Sequence, residues 1–223
     1  MAKVFLGVGH GGSDPGAIGN GLEEADLNLA IALACQAELA RHGVSVAMSR
    51  TKDENDTIDD EVRECNAYKP DLSVDIHNNA GGGDGAEVYH HHGGGKSKTL
   101  AENILTEIVA VGQNSRGVKT RMNASGQDYY GFIRSTTAPA VIVECAFVDT
   151  KDIQIIDTAA EQKAMGVAIA KGILKTLGVA HKPVGEAAAN KIYRVQVGAF
   201  SVKKNAEAMR DKLKAAGYEA FIV

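Results

Sequence analysis

The chain has 223 residues, 44% hydrophobic and 23% charged, the make-up of an ordinary globular protein. Its net charge of −4 excludes a broad basic field for nucleic acid or an anionic membrane, and no apolar run is long enough to span a bilayer. The 25 Gly against 4 Pro point to tight turns rather than a disordered tail.

The apolar run Val4–Val8 predicts a central strand. The start, MAKVFLGVGH, has too short an apolar part for a signal peptide, so synthesis in the cytoplasm without an export signal is expected. The strand opens into GHGGSDPGAIGNG, a loop with six glycines and His10 at its mouth. It could cradle phosphate, but it lacks the Lys-Ser/Thr of a P-loop and the dinucleotide glycine spacing. Glu23–Arg41 is predicted helical, because Leu27, Ala30, Ile31, Ala34 and Leu39 fall near a 3.6 period and Gly43 supplies a stop. Glu24 lies in the first turn, where an acid favours the helix dipole whatever else it does. Val44–Met48 alternates as a second strand, Arg50–Asn55 is a polar loop, and Ile58–Tyr68 is a helix carrying Arg63 and Asn66.

The stretch DLSVDIHNNA predicts a buried strand over Asp71–Ile76 that ends on His77 and gives way to Asn78, Asn79 and small residues. A loop at Gly81–Gly85 and a strand at Ala86–Tyr89 follow. The adjacent His90, His91 and His92 cannot all face one ion, and they read as a rim contact or as a solvated loop. Ser97–Val111 is helical, and Arg116–Gly131 looks like a long surface loop of the kind that carries binding. Ala140–Val143 is a strand run that ends on Glu144, and Thr158–Leu177 is an amphipathic helix stopped by Gly178. Cys35, Cys65 and Cys145 are odd in number and widely spaced, which suits small core residues in a reducing compartment.

Gly178–Lys191 has no apolar period and reads as a linker. Tyr193–Phe200, Val202–Ala216 and Tyr218–Val223 then read as a βαβ unit. It is too small to bury a core alone and needs a second copy, another chain or the main domain.

Alternating strands and helices imply an α/β fold: a twisted, mostly parallel sheet with helices on both faces, plus the small C-terminal βαβ unit. In such a sheet the carboxyl ends of the strands share one edge, where ligands bind. His10, His77 and Glu144 follow three strands, and Glu24 starts the helix reached from His10. Two imidazoles and a carboxylate with one open position form the ligand set of a catalytic zinc site.

GHGGSDPGAIGNGLEEADLNLAIAL, the Arg63-x-x-Asn66 spacing, DLSVDIHNNA and PAVIVECAFVD together resemble the zinc-dependent N-acetylmuramoyl-L-alanine amidases of the type 3 class, over residues 2–177. The resemblance implies zinc ligands at His10, Glu24 and His77, a catalytic carboxylate at Glu144, and peptidoglycan as substrate. The ligand-bearing pattern falls on Glu24 rather than Glu23. Asp75 stands where the family commonly has Ser. The C-terminal YRVQVGAFSVKKNAEAMRDKLKAAGYEAFIV resembles one half of a SPOR domain, a module that recognises glycan strands. The implied organisation is a catalytic domain at 1–177, a linker at 178–191 and a half module at 192–223, through which a homodimer could form. A phage endolysin or a sporulation mother-cell wall hydrolase is implied, reaching the wall after holin action or cell lysis. A zinc carboxypeptidase or deacetylase, a non-catalytic wall-binding protein and a purely structural domain remain as alternatives.

Overall fold

A computed structural model of the protein describes residues 1–183, 197–218 and 222. Two units are distinct, Met1–Lys182 and Pro183–Val223. In chain order the first holds β1 (Lys3–Val8), a small hairpin of β2 (Ile18–Gly19) and β3 (Leu22–Glu23), α1 (Glu24–Arg41) and β4 (Ser45–Met48). Next come α2 (Ile58–Tyr68), β5 (Leu72–Asn79), β6 (Ala86–His90), α3 (Lys96–Ala110), β7 (Ser115–Lys119) and α4 (Gly131–Ser135). β8 (Ala140–Phe147), a 3-10 turn at Lys151–Ile155 and α5 (Ala159–Leu177) complete it.

Six strands pair in the order β4-β1-β5-β8-β6-β7. All neighbours are parallel except β6 and β8, which run antiparallel. The parallel pairs need long crossovers, and helices supply them. Side chains alternate across the sheet. Val4, Leu6 and Val8 of β1, Leu72, Val74 and Ile76 of β5, and Val141, Val143 and Cys145 of β8 face one core. That core also holds Leu27 and Ile31 of α1, Leu100 and Ile104 of α3, and Ile169 and Ile173 of α5. On the opposite face, Phe5, Ala140 and Ile142 meet Cys65 of α2 and Phe132 and Ile133 of α4. This second core covers only the lower part of its face. Two residues further up the same strands come Gly7, Asp75 and Glu144, where the site begins.

Local chemistry sets the helix ends. The Thr57 hydroxyl accepts from the Asp60 N–H at the start of α2, and Thr158 and Glu161 form a capping box on α5. Gly178, at φ 73°, closes α5 in the left-handed conformation.

The structure departs from the sequence expectations at several places. β5 and β8 do not stop at Ile76 and Val143; they run to Asn79 and Phe147, so His77 and Glu144 lie within paired strands. In β5 the backbone ladder continues after the apolar pattern stops, and in β8 the buried Cys145, Ala146 and Phe147 resume the apolar run beyond Glu144. Arg116–Gly131 is not one long loop. Its residues 116–119 belong to the edge strand β7, where polar residues suit an edge with one free side, and the loop that follows is pinched by a bridge between Met122 and Asp128. The glycine-rich loop contains β2, which pairs antiparallel with β3 just beyond it.

The start of the expected linker is fastened to α1: the Lys182 N–H donates to His42 Nε2 at 2.8 Å, and His181 Nε2 lies 2.8 Å from Glu38 Oε1. In the second unit, α6 (Lys203–Ala215) matches the expected helix, with Ala206, Met209 and Leu213 half-buried. Val197–Phe200 is not a strand. The rest of the first expected strand, residues 193–196, and residues 219–221 and 223 of the last lie outside the described residues.

Two glycines let α5 approach its neighbours. A Cβ on Gly166 would stand 2.4 Å from the Ile31 carbonyl oxygen of α1, and one on Gly172 would stand 2.5 Å from Ile104 Cα of α3. Ala gains about 1 kcal/mol over Gly in a helix, but a backbone clash of this depth costs about 3 kcal/mol. G166A should therefore lower stability by about 2 kcal/mol and Tm by several degrees in a thermal melt. An unchanged or raised Tm would contradict the close packing.

Candidate metal centre

β1 and β5 are in parallel register, with Gly7 beside Asp75 and Val8 beside Ile76. Gly9 therefore falls beside His77. A Cβ on Gly9 would lie 2.1 Å from the His77 ring, so only glycine leaves room for that imidazole. His10 follows with φ 63°, a left-handed conformation that bulky residues rarely adopt. Arg50 holds this turn. It is 2% exposed and donates to the carbonyl oxygens of Val8, Gly9 and Ala25, joining the end of β1 to the start of α1.

The turn brings His10 and His77 together, with ring centroids 5.0 Å apart and the planes nearly perpendicular. Both rings face one oxygen of Glu24. His10 Nε2 lies 3.3 Å and His77 Nδ1 3.1 Å from Glu24 Oε1. Asn78 N–H also donates to that oxygen at 3.0 Å, and Ala17 N–H donates to Oε2 at 3.0 Å. The outer nitrogen of each ring meets another carboxylate. His10 Nδ1 lies 2.8 Å from Asp14 Oδ2, and His77 Nε2 lies 3.2 Å from Asp75 Oδ2. A neutral imidazole that gives its outer N–H to an acid keeps a lone pair on the inner nitrogen, as a metal ligand requires.

Glu144 stands next to His77 in the β5–β8 register and opposite Glu87 in the β8–β6 register. Its Oε2 is buried with no hydrogen-bond partner among the described residues. Such an orphan is costly unless a ligand or an ion uses it.

The electrostatics follow from these contacts. Burial works to raise the Glu24 carboxyl, but the hydrogen bonds from His10 and His77 outweigh it and hold Glu24 well below the usual carboxylate range. The His10 imidazole is raised by its Glu24 partner against burial. Burial works to lower His77, yet Asp75, Glu24 and Glu144 together hold it well above its ordinary value. Glu144 is pushed up to about 7, chiefly by burial, with the charges of Glu24, Glu87 and Asp75 adding and His77 opposing. Glu87 behaves oppositely. Burial works upward there too, but hydrogen bonds from Lys119, Arg116 and Tyr89 keep it low. Glu61, behind Asp75, is raised by burial and by the Asp75 charge, which favours its protonated form. Two neighbouring carboxyls on one sheet face, Glu144 and Glu87, are thus driven to different protonation states, the arrangement that separates a proton carrier from a fixed charge.

The ligand atoms of His10, Glu24 and His77 lie within 4.8 Å of one another. Several carboxylates against two imidazoles leave negative charge for a cation to balance, and the nitrogen and oxygen donors suit zinc. Among the described residues two other clusters have comparable spacing, Glu38–His42–His181 and His91–His92–Asp128. The first already holds the Arg41 guanidinium on Glu38, and its His42 Nε2 accepts from Lys182 N–H. In the second, His91 Nδ1 accepts from Gly93 N–H, which leaves the proton on Nε2, facing Asp128. In each, one ring nitrogen that faces the acid carries a proton, His42 Nδ1 in the first and His91 Nε2 in the second. His90 is buried at the end of β6, so the three-histidine run divides between a strand end and a loop held by Asp128.

The structure thus brings together all four residues singled out from the sequence. Sequence reasoning missed Asp14, Asn28 and the clamping role of Arg50. Asn28 is fully buried and donates to the Gly9 carbonyl at 3.0 Å while accepting from Asn78 Nδ2 at 2.8 Å. A polar residue one turn after Glu24, in line with the buried face of α1, is the signal that could have found it.

Residues 4–175 match the family described as N-acetylmuramoyl-L-alanine amidase, and residues 188–223 match the SPOR domain. The chain belongs to the N-acetylmuramoyl-L-alanine amidase family. Its reaction is hydrolysis of the amide between N-acetylmuramic acid and L-alanine of the peptidoglycan stem peptide. The amidase is 33% identical over 234 residues to the sporulation-specific N-acetylmuramoyl-L-alanine amidase of Bacillus subtilis (strain 168), covering 100% of this chain and 85% of that one. The catalytic domain of CwlV, an amidase from Bacillus (Paenibacillus) polymyxa var. colistinus, superposes with a TM-score of 0.72 at 28% identity, over 81% of this chain and 100% of that one. Cwp6 from Clostridium difficile superposes with a TM-score of 0.78 at 38% identity, over 79% of this chain but 29% of that one. Zinc dependence is a general property of the family. Among the described residues of the amidase no helix is long and apolar enough to cross a membrane.

Glu144 links the site to stability. Its folded-state pKa, about 7, lies above the usual 4.5, so its contribution to stability is full below pH 4.5 and is lost as pH rises through 7. In metal-free amidase at pH 8, E144Q should raise unfolding stability by about 2 kcal/mol, somewhat less than the full shift implies. At pH 4 the two proteins should be nearly equal. Denaturant titrations in chelator test this, and an E144Q gain that does not grow with pH would contradict it.

Proposed function

We propose that His10, Glu24 and His77 hold a zinc ion in this amidase and that Glu144 is the proton carrier of amide hydrolysis. The observation that carries this reading is the convergence of His10 Nε2 and His77 Nδ1 on Glu24 Oε1, at 3.3 and 3.1 Å. When bound, the zinc supplies a Lewis acid that lowers the pKa of a water to about 7 and polarises the scissile carbonyl.

Glu144 takes the proton of the attacking water on its unpartnered Oε2 and returns it to the leaving alanine amine. Its elevated pKa in the metal-free protein comes from burial and surrounding acids, and a nearby cation lowers it. Glu87, tied to Arg116 and Lys119, keeps its charge and takes no proton. No covalent enzyme intermediate is needed.

The domain limits that fit this function are a catalytic domain at 1–177, a linker at 178–191 and a glycan-recognising unit at 192–223. The SPOR match supports the last. A homodimer through that unit would bring two half modules together.

The test separates metal from proton transfer. E144Q should bind one zinc as the parent does while cleavage of purified sacculi falls by a factor of about 10²–10⁴. H77A should lose zinc in metal analysis after dialysis. Near-parental turnover in E144Q, or full zinc content in H77A, would refute the assigned roles.

A further inference from the structure

We propose that Asp75 is a positioning residue that fixes the His77 ring and its tautomer for metal binding. The proposal rests on the metal reading above and adds a residue to it. Asp75 and His77 are two apart on β5, so both project from the same sheet face. Asp75 is 3% exposed, and its Oδ2 lies 3.2 Å from His77 Nε2. The other ring nitrogen, Nδ1, is the one that faces Glu24 and His10.

β1 makes the space for this pair. A Cβ on Gly7 would lie 2.7 Å from Asp75 Oδ1, and one on Gly9 would lie within 2.5 Å of three atoms of the His77 ring. Any larger residue at either position would displace the carboxylate or the imidazole. Asp75 also accepts little else. Oδ1 is buried and has no hydrogen-bond partner among the described residues, so Asp75 is not a routine fold-stabilising acid.

The role follows from imidazole chemistry. A neutral ring carries one proton, on Nδ1 or on Nε2. With the Asp75 carboxylate beside Nε2, the proton sits there and Nδ1 keeps its lone pair toward Glu24. Without an acceptor at position 75, the proton can instead sit on Nδ1 and donate to Glu24, which blocks the ligand atom. The carboxylate also locks the ring plane and raises the basicity of Nδ1.

The experiment measures zinc affinity of the full chain by chelator competition, in parent, D75S, D75N and H77A, with imidazole ¹⁵N NMR of the parent. D75S should weaken zinc binding by about 10–100-fold. D75N retains an oxygen that can accept from Nε2–H and should recover part of the loss. In zinc-loaded parent the His77 proton should be on Nε2. Thermal melts of the zinc-free proteins should show D75S folded. Zinc binding that H77A removes but D75S leaves unchanged overturns this proposal alone, as does a His77 proton found on Nδ1. Zinc binding that H77A leaves unchanged overturns the metal reading, and this proposal with it.

Discussion

One buried carboxylate oxygen governs the architecture of this amidase. Glu24 Oε1 receives His10 from the turn after β1 and His77 and the Asn78 N–H from β5, while Glu24 is 4% exposed. A charged carboxylate at such depth is tolerated only when its oxygens are well partnered. The surrounding sequence provides that partnering. Arg50 ties β1 to α1, Asn28 ties α1 to the turn and to Asn78, and the β2–β3 hairpin presents Ala17 N–H to the second oxygen. The same contacts leave the site with more acid than base. A divalent cation between the imidazoles would satisfy both the geometry and the charge.

The two sheet faces divide the work. One is apolar along the length of the strands and is closed by α1, α3 and α5. The other is apolar only at its base, where Phe5, Ala140 and Ile142 meet α2 and α4. Higher on that face the residues become Gly7 and Gly9, Asp75 and His77, and Glu144. Gly7 and Gly9 create the depth, and Asp75 and His77 of β5 and Glu144 of β8 fill it. Rigid strands, rather than loops, hold His77 and Glu144, so the separation between them is fixed by strand spacing.

Much of this was legible in the sequence because its signals are local. Short apolar runs marked β1 and β8, alternation marked β5, and the helix Thr158–Leu177 with its Gly178 stop was legible because capping rules act over three or four residues. The metal-type residues could be assigned to one rim because parallel strands share their carboxyl ends. The end of β5 was misjudged because apolar pattern marks burial whereas its ladder depends on backbone pairing, and the end of β8 because Glu144 interrupts an apolar run that resumes at Cys145, Ala146 and Phe147. The edge strand β7 looked like a loop because Ser115–Lys119 has no buried pattern of its own. Arg50 was invisible as a clamp because the carbonyl groups it joins, those of Val8, Gly9 and Ala25, lie far from it in sequence. Asp75 stood out in the sequence only as an acid where the family commonly has Ser. Its alignment with His77 follows from their spacing of two, but the contact to Nε2 depends on the space left by Gly7 and Gly9.

The central claim is that two imidazoles and one carboxylate form a single metal centre. X-ray absorption at the zinc edge of protein loaded with one equivalent tests it most directly. The account predicts a shell of nitrogen and oxygen donors only, at about 2.0–2.1 Å, with the outer-ring scattering of two imidazoles. A sulfur shell near about 2.3 Å, or scattering from fewer than two imidazoles, would contradict it.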